Sequence, residues 1–429
     1  MSAGFVPSHR KAIRYAALVV AVTFFALLVS AGVRSAPGVL MVPLQMHFGW
    51  DRATISMTAA VGIFLYGLVG PFAAALMLSF GIKRTMLAGL FLMAGATFIS
   101  QWMTQSWQFL LTWGVLSGLG SGAVASVLGA AVVNRWFAKR QGLVMGLLSA
   151  STATGSLIFL PVLAWLSREA AWRPVVLAVS LACLVLIPLV ALLVPEHPSE
   201  VGTHRYGETE ESAAPPLRQA ATPGLAIAAL GRASRSPTFW LLFGTFFVCG
   251  LTTNGLVGTH MIAFCGDHGI APVAAAGLLS TMGLFDLLGT TASGWLTDRY
   301  DPRRLLIVYY GLRGLSLIAL PFLSFDAMSL GIFAIFYGLD WIATVPPTLA
   351  IANRSFGERE APIIFGWVMV GHQMGAATAA LGAGVIRSQT GSYDPAFVIA
   401  GAFALFAALA LAFMAMRGGG SRREAYAAG

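Results

Sequence analysis

The stretch FDLLGTTASGWLTDRYDPRR, residues 285–304, joins an apolar helix to a basic turn. An acid, Asp286, stands inside the apolar run. About three turns later, at 3.6 residues per turn, the run ends in a glycine, an acid and three arginines: Gly294, Asp298, Arg299, Arg303 and Arg304. An ion inside an apolar membrane helix usually faces a partner or a cavity. The stretch therefore predicts a membrane helix that lines an internal path.

Composition indicates a membrane protein. Of the 429 residues, 57% are hydrophobic and only 10% are charged, against roughly 25% charged in soluble domains. The apolar residues come in runs of about 20, the length that crosses a bilayer as a helix. The net charge of +9 comes from basic residues scattered between these runs, so we expect no nucleic-acid partner. An all-α, polytopic protein of the cell inner membrane is predicted, with the lipid bilayer as its partner.

The cysteines predict neither a disulfide framework nor a metal site. Cys183, Cys249 and Cys265 form no C-x-x-C pair and no metal-ligand spacing. Small-residue runs lack the Gly-Lys-Ser/Thr ending of a phosphate loop, and no Ser-His-Asp arrangement stands out. We expect no cofactor, no bound metal and no enzymatic activity.

Twelve transmembrane helices are predicted from the apolar runs and from the Pro, Gly and charge between them. Their predicted ranges are 14–46, 53–79, 85–103, 108–133, 141–166, 173–194, 238–264, 272–297, 303–324, 328–351, 361–386 and 394–416. All but six of the 26 Lys and Arg residues lie on the same side of these spans. This asymmetry predicts that both termini are cytoplasmic.

A polar segment divides the chain. Residues 195–237 are rich in Pro and acids and too hydrophilic to bury in a membrane, so they are interpreted as a cytoplasmic linker. On this interpretation residues 1–194 form an N-terminal six-helix bundle. Residues 238–429 form a C-terminal six-helix bundle with a short basic tail. We expect the protein to be a monomer.

The ending Gly294-Trp295-Leu296-Thr297-Asp298-Arg299 resembles the G-x-L-x-D-R loop signature of the major facilitator superfamily. The resemblance implies two six-helix bundles with the solute site between them near mid-membrane. After the second predicted span the chain has Leu78 and Ser79 where the signature has Asp-Arg, although the basic pair Lys83-Arg84 is kept. Since that Asp helps to latch the bundles in the superfamily, the resemblance implies a weak or absent latch at this turn.

Shorter stretches resemble the monocarboxylate transporter and oxalate:formate antiporter branch. They include Arg34-Ser35, the loop RWFAKRQG at 135–142, Trp172-Arg173 and TGSYD at 390–394. In that branch a cation on the first helix and an Asp–Arg pair on the eighth serve anion and proton binding. Arg34 and Asp286 match the first-helix cation and the acid, whereas Thr290 stands where the arginine would be. The departure at Thr290 weakens the case for a simple monocarboxylate.

Four charged residues are predicted at membrane depth: Arg34, Asp286, Arg313 and Asp340. An ion at mid-helix costs roughly 2.5–3.5 kcal/mol on insertion scales, so each requires a cavity or a partner. Asp286 is interpreted as a proton-coupling carboxylate, with a permanent pair to Arg313 as the alternative. Arg34 is interpreted as a clamp for a solute carboxylate. The alternative for Arg34 is snorkelling to the outer headgroups.

Arg313 and Asp340, on neighbouring predicted spans, are interpreted as a structural pair, with gating as the alternative. His372 is a candidate for solute binding or proton relay, and a hydrogen bond between helices is the alternative. Asn254 is a candidate hydrogen-bonding residue for the solute.

The sequence therefore predicts a secondary active transporter that moves a small organic solute by alternating access. We interpret the solute as a carboxylate anion carried in symport with a proton. An anion exchanger stays open as an alternative, as does uptake or efflux of a vitamin-like or drug-like solute without a carboxylate. A membrane sensor that binds a solute without transporting it is the remote alternative.

The distribution of basic residues yields a topology prediction. A reporter placed at Gly207 in the linker, or fused after Arg423 near the C-terminus, should report a cytoplasmic location because Lys and Arg are enriched on that side. The measurement is a paired fusion assay with one reporter active only in the cytoplasm and one active only outside it. A periplasmic signal at either position would contradict the arrangement of two times six helices.

Overall fold

The computed structural model describes residues 6–50, 52–167, 171–208 and 224–427. Asp51 and residues 209–223 of the predicted linker lie outside the described residues. The described part is built from helices. They are α1 Val6–Phe48, α2 Arg52–Ser79, α3 Ile82–Ile99, α4 Ser106–Phe109, α5 Ser117–Ala123, α6 Ser126–Trp136, α7 Gln141–Leu166, α8 Arg173–Leu193, α9 Gly224–Ala233, α10 Pro237–Gly250, α11 Gly258–Asp267, α12 Pro272–Thr297, α13 Pro302–Ala319, α14 Ala327–Asp340, α15 Val345–Thr390 and α16 Asp394–Ala427.

The helices have the length and composition of membrane spans. Within the described residues, nine helical stretches are long and apolar enough to cross a membrane. Two π-helical segments, Leu110–Leu116 and Leu251–Val257, join α4 to α5 and α10 to α11. The number of twelve spans and the cytoplasmic placement of both termini stay predictions.

Two predicted spans are wrong as continuous helices. Residues 108–133 are expected to form a single span, but α5 ends at Ala123 and α6 begins at Ser126, with non-helical backbone at Val124 and Ala125 between them. Residues 328–351 were expected to form a single span, but α14 ends at Asp340 and α15 begins at Val345. Pro346 and Pro347 begin α15, and proline has no backbone N–H to continue a helical ladder. A second interruption lies at Gly357, whose φ of 79° leaves the helical region, so α15 consists of two helices.

The two halves of the molecule touch where glycines let helix backbones approach. Gly142 of α7 lies against the backbone of Gly294 in α12. Gly366 of α15 lies against the backbone of Pro71 in α2. All four residues lie in the parts of their helices nearest the linker segments, and we call this end of the molecule the linker side. Small residues are the usual means of close helix packing in membranes.

The described linker segments are attached to both halves. Tyr206 exchanges backbone hydrogen bonds with Trp136 and Ala138 of the first half, and Arg205 forms an ion pair of 2.7 Å with Glu358 of the second half. Helix α9 accepts a 2.9 Å hydrogen bond at the Ala226 carbonyl from the Trp367 indole. Polar composition therefore did not prevent these parts of the linker from packing on the bundles.

The turn between α2 and α3 contains an acid that comes from elsewhere in the chain. Glu196, just after α8, accepts hydrogen bonds from the N–H groups of Ile82 at 2.6 Å and Lys83 at 2.9 Å. Its carboxylate also pairs with Arg135. Gly81 has a φ of 105°, and the Glu196 carboxylate occupies the space that a methyl group on Gly81 would need. Glu196 thus caps α3, a position that suits an anion because of the helix dipole.

Substitution of Gly81 tests this cap. Gly81→Ala should lower the free energy of unfolding by more than about 1 kcal/mol, because alanine is strained at this φ and its methyl displaces the capping carboxylate. Gly95→Ala is the matched control, since Gly95 lies in α3 with open space around it. The control should be neutral or slightly stabilising. Equal melting temperatures for the two variants would contradict the proposed cap.

Candidate functional site

Asp286 is fully buried on α12. The Thr290 hydroxyl donates a hydrogen bond of 2.6 Å to its Oδ1 atom, and the backbone N–H of Ile342 donates one of 3.0 Å to the same oxygen. Its second oxygen, Oδ2, has no hydrogen-bond partner among the described residues. A buried carboxylate oxygen without a donor is unfavourable when the group is charged.

Arg313 on α13 is also fully buried, and every nitrogen of its guanidinium has a partner. Its Nε donates to Asp340 Oδ2 at 2.6 Å. One terminal nitrogen donates to the main-chain oxygens of Asp340 and, at 3.1 Å, of Trp341. The other lies 3.2 Å from Cys249 Sγ and 3.4 Å from Thr252 Oγ1. The guanidinium therefore joins α10, α14 and the π-helical segment Leu251–Val257.

Asp340 closes α14 and has one unpartnered oxygen. Its Oδ2 atom pairs with Arg313, whereas Oδ1 has no partner within the described chain. At the other end of α14, outside the membrane-spanning part, Asp326 accepts from the N–H groups of Met328 and Ser329 at 2.8 Å. Hydrogen bonds from the Ser324 hydroxyl and from Ser329 lower the pKa of Asp326 to about 2. The helix is thus capped at its start and ion-paired at its end.

His372 joins this cluster through a thiol. Its ring faces Cys249 and lies 5.8 Å from the ring of Phe246, and only 9% of the residue is exposed. Its Nδ1 has no hydrogen bond to the described residues. The structure thus brings four residues singled out in the sequence, Asp286, Arg313, Asp340 and His372, into one region of the second half.

Arg34 and Asn254 lie apart from that cluster. The half-buried Arg34 donates to Ser30 at 3.0 Å, and its guanidinium carbon lies 4.1 Å from the centre of the Tyr66 ring. Both contacts are in the first half. No carboxylate of the described residues pairs with Arg34. Asn254, in the π-helical segment, has an exposed side chain that makes no hydrogen bond to the described chain.

The loop signature lies on the linker side and connects the halves. Asp298 accepts hydrogen bonds from the N–H groups of Gly142 at 2.8 Å and Leu143 at 2.9 Å, the first residues of α7. Arg299 stacks on Trp295, with its guanidinium carbon 3.8 Å from the ring centre. Arg303 and Arg304, at the start of α13, form no ion pair with the described residues. Asp298 therefore caps a helix of the opposite half.

Sequence reasoning missed several members of the cluster. Cys249 was considered only for a disulfide or a metal site, and Thr252 and Ser293 were not singled out. The Ser293 hydroxyl donates a 2.6 Å hydrogen bond to the Ala343 carbonyl in the break between α14 and α15. The adjacent Pro346-Pro347 pair was a signal for that break, because two prolines leave the preceding turn without helical partners.

The Arg313–Asp340 contact yields a stability prediction. Asp340→Asn should lower the free energy of unfolding by about 3–5 kcal/mol, because it leaves a buried arginine unpaired. Combining it with Arg313→Gln should recover part of the loss. Asp267→Asn is the control, since it breaks the more exposed pair with Arg387 and should leave the melting temperature nearly unchanged, because solvent screens an exposed ion pair. Strictly additive losses in a thermal unfolding cycle would argue against the buried pair.

Comparison with known proteins agrees with this architecture. The profile of the Major Facilitator Superfamily matches residues 23–378. Over 399 residues the chain is 30% identical to Monocarboxylate transporter 13 of Rattus norvegicus, covering 90% of this chain and 86% of the relative. It is 24% identical over 363 residues to an uncharacterized MFS-type transporter, YcxA, of Bacillus subtilis, covering 82% of this chain and 84% of that one.

Solved structures show the same fold. The fucose:proton symporter of E. coli superposes with a TM-score of 0.67 at 16% identity, covering 94% of this chain and 99% of that chain. The human organic anion transporter MFSD10 superposes with a TM-score of 0.69 at 15% identity, covering 92% and 99%. The profile match, the full-length relatives and the shared fold lead to one conclusion: the chain belongs to the Major Facilitator Superfamily and is a multi-pass membrane transporter, not an enzyme.

Proposed function

We propose that this transporter carries a small carboxylate anion together with a proton across the inner membrane by alternating access. The observation that supports proton coupling is the charge of the buried cluster in the second half. Two carboxylates, Asp286 and Asp340, lie near one guanidinium, that of Arg313, which donates to Asp340. If both acids are ionised the cluster carries one net negative charge.

A net charge in a low-dielectric interior is costly, and the group that carries it tends to neutralise. One proton restores neutrality to this cluster. Asp340 is in direct contact with Arg313, whereas Asp286 has only a hydroxyl and an amide as donors. The proton is therefore assigned to Asp286, and its unpartnered Oδ2 is the atom that would receive it.

Arg34 is the proposed binding group for the solute carboxylate. It is a cation on α1 without an acidic partner in the described chain, held by Ser30 and the face of Tyr66. A guanidinium can bind a carboxylate through two parallel hydrogen bonds. The 30% identical relative is named a monocarboxylate transporter, which supports this choice of solute. His372 and Asn254 are proposed as polar contacts for the rest of the solute.

The contacts between the halves fit one state of an alternating-access cycle. Asp298 caps α7 across the interface, and Gly142 packs on Gly294, both on the linker side. The first turns of α1 lie near Gly202 of the linker, at Lys11. Arg34 lies past the middle of α1 and so is farther from the linker side. We therefore propose that the linker side, which we expect to be cytoplasmic, is closed, and that a solute reaches Arg34 from the opposite side.

Two substitutions separate the proton role from the anion role. Asp286→Asn removes the titratable group and nearly keeps its shape, so accumulation driven by a pH gradient should be lost while solute exchange persists. Arg34→Gln should weaken both modes about tenfold or more, since one charge-assisted contact contributes roughly 1.5–3 kcal/mol. Uptake and counterflow of radiolabelled acetate, lactate, pyruvate and oxalate in proteoliposomes measure the two modes.

Arg173→Gln is the matched control, because Arg173 is an exposed arginine at the start of α8, and it should transport like wild type. Wild-type accumulation by Asp286→Asn would remove the proton role from this residue. Counterflow by the wild type without any response to a pH gradient would favour the anion exchanger. Binding of these acids without uptake or counterflow would favour a sensor.

A further inference from the structure

The backbone between α14 and α15 makes a few turn hydrogen bonds, such as those from Trp341 to Gly338 and from Val345 to Ile342, and side chains bind several of its remaining polar groups. Ile342 N–H donates to Asp286 and the Ala343 carbonyl accepts from Ser293, both partners being on α12. The carbonyls of Asp340 and Trp341 accept from Arg313 on α13. The hydroxyl of Thr344, the last residue before α15, lies 3.4 Å from Cys249 Sγ on α10. Side chains of three helices therefore bind residues 340–344, of which 341–344 lie outside α14 and α15.

The two sides of this break are attached to different halves of the molecule. On the near side, Gly338 of α14 lies against the backbone of Met282, and Gly289 of α12 lies against the backbone of Leu339. Such backbone contact fixes α14 to α12 in the second half.

On the far side, residues 345–356 form an arm that reaches the first half. Asn353 exchanges two amide hydrogen bonds with Asn134 of α6, at 2.8 and 2.9 Å. Asn134 also donates to the Glu358 carbonyl at 2.8 Å, just beyond the interruption at Gly357. The arm therefore connects the break to the closed linker side.

We propose that residues 341–344 are a hinge and that the Asp286 carboxylate, through its hydrogen bond with Ile342, is the latch that keeps it in place. Ser293 and Arg313 are positioning residues, because their hydrogen bonds to backbone carbonyls keep the hinge next to Asp286. The inference rests on the proposed proton role of Asp286 and adds the step by which proton binding moves the chain. An ionised carboxylate accepts a hydrogen bond roughly twice as strong as a neutral acid does. A proton on Asp286 therefore weakens the contact with Ile342, and the arm at 345–356 swings away from α6 to open the linker side.

Of the two carboxylates next to the hinge, Asp286 is the one without a cationic partner among the described residues. Helix α13 brings Arg313 and α14 brings Asp340, which pair with each other. Helix α15 brings His372, which reaches Arg313 only through Cys249. Helix α11 brings His260, whose ring bonds to the Ala380 carbonyl, and α7 carries no titratable residue.

Hydrogen–deuterium exchange of the full chain in lipid nanodiscs tests the hinge at residues 340–345. After correction for the intrinsic pH dependence of exchange, wild type should exchange faster at acidic than at alkaline pH. Asp286→Asn should exchange at the acidic wild-type rate at both pH values. Ser293→Ala should exchange about fivefold faster than wild type at both, the change expected from one hydrogen bond, and should keep the pH dependence.

Thr291→Ala is the control on the same helix, because the Thr291 hydroxyl bonds only to the Leu287 carbonyl of its own helix, and it should match wild type. The hinge would be overturned if the exchange rate of residues 340–345 in wild type did not depend on pH. It would also be overturned if neither Asp286→Asn nor Ser293→Ala changed that rate. Proton-driven uptake by wild type in proteoliposomes tests the proposed function separately. If uptake responds to the pH gradient while exchange at residues 340–345 does not depend on pH, the hinge is wrong and the proton role of Asp286 remains.

Discussion

The buried guanidinium of Arg313 is the contact on which the second half depends. Taking an arginine out of water is unfavourable by several kcal/mol unless its donors are satisfied. Here they are satisfied by Asp340, by two main-chain carbonyls of the break and by polar atoms of Cys249 and Thr252. The main-chain carbonyls in turn require the donors of Arg313, because the interior of a membrane offers no water to a carbonyl outside a helix. The broken helix and the buried charge therefore stabilise each other.

The excess acid in this network has a different consequence. One oxygen of Asp340 pairs with Arg313, whereas Asp286 has only two uncharged donors, and each carboxylate has one oxygen without a partner among the described residues. A structural pair alone would need only one carboxylate. The second carboxylate sits against the backbone of the break, so its charge and the position of that backbone are coupled. This coupling is the physical basis of the function and the hinge proposed above.

On the linker side, the two related turns differ in which helix is capped by an acid. After α12, Asp298 caps α7 of the opposite half and so connects the halves directly. After α2, where Leu78 and Ser79 replace the signature, Glu196 caps α3 within the same half. The turn after α2 therefore does not cap a helix of the opposite half. Other contacts between the halves are the Asn134–Asn353 pair and the ion pair of Arg205 with Glu358. On the linker side the two halves are therefore connected by two unequal sets of contacts.

The membrane class, the helical content and the superfamily followed from the sequence, because apolar runs of spanning length and the Gly294–Arg299 ending are local patterns. The sequence also predicts that Asp286, Arg313 and Asp340 lie at membrane depth, since position along a helix sets depth. The partners of those charges did not follow. Arg313 is contacted by Cys249 and Thr252, and the break by Ser293, all from other helices. The periodicity of one helix does not show which faces of separate helices meet. The interruption after Asp340 was likewise decided by tertiary structure, because unwound backbone is stable at membrane depth only where neighbouring side chains replace its lost hydrogen bonds.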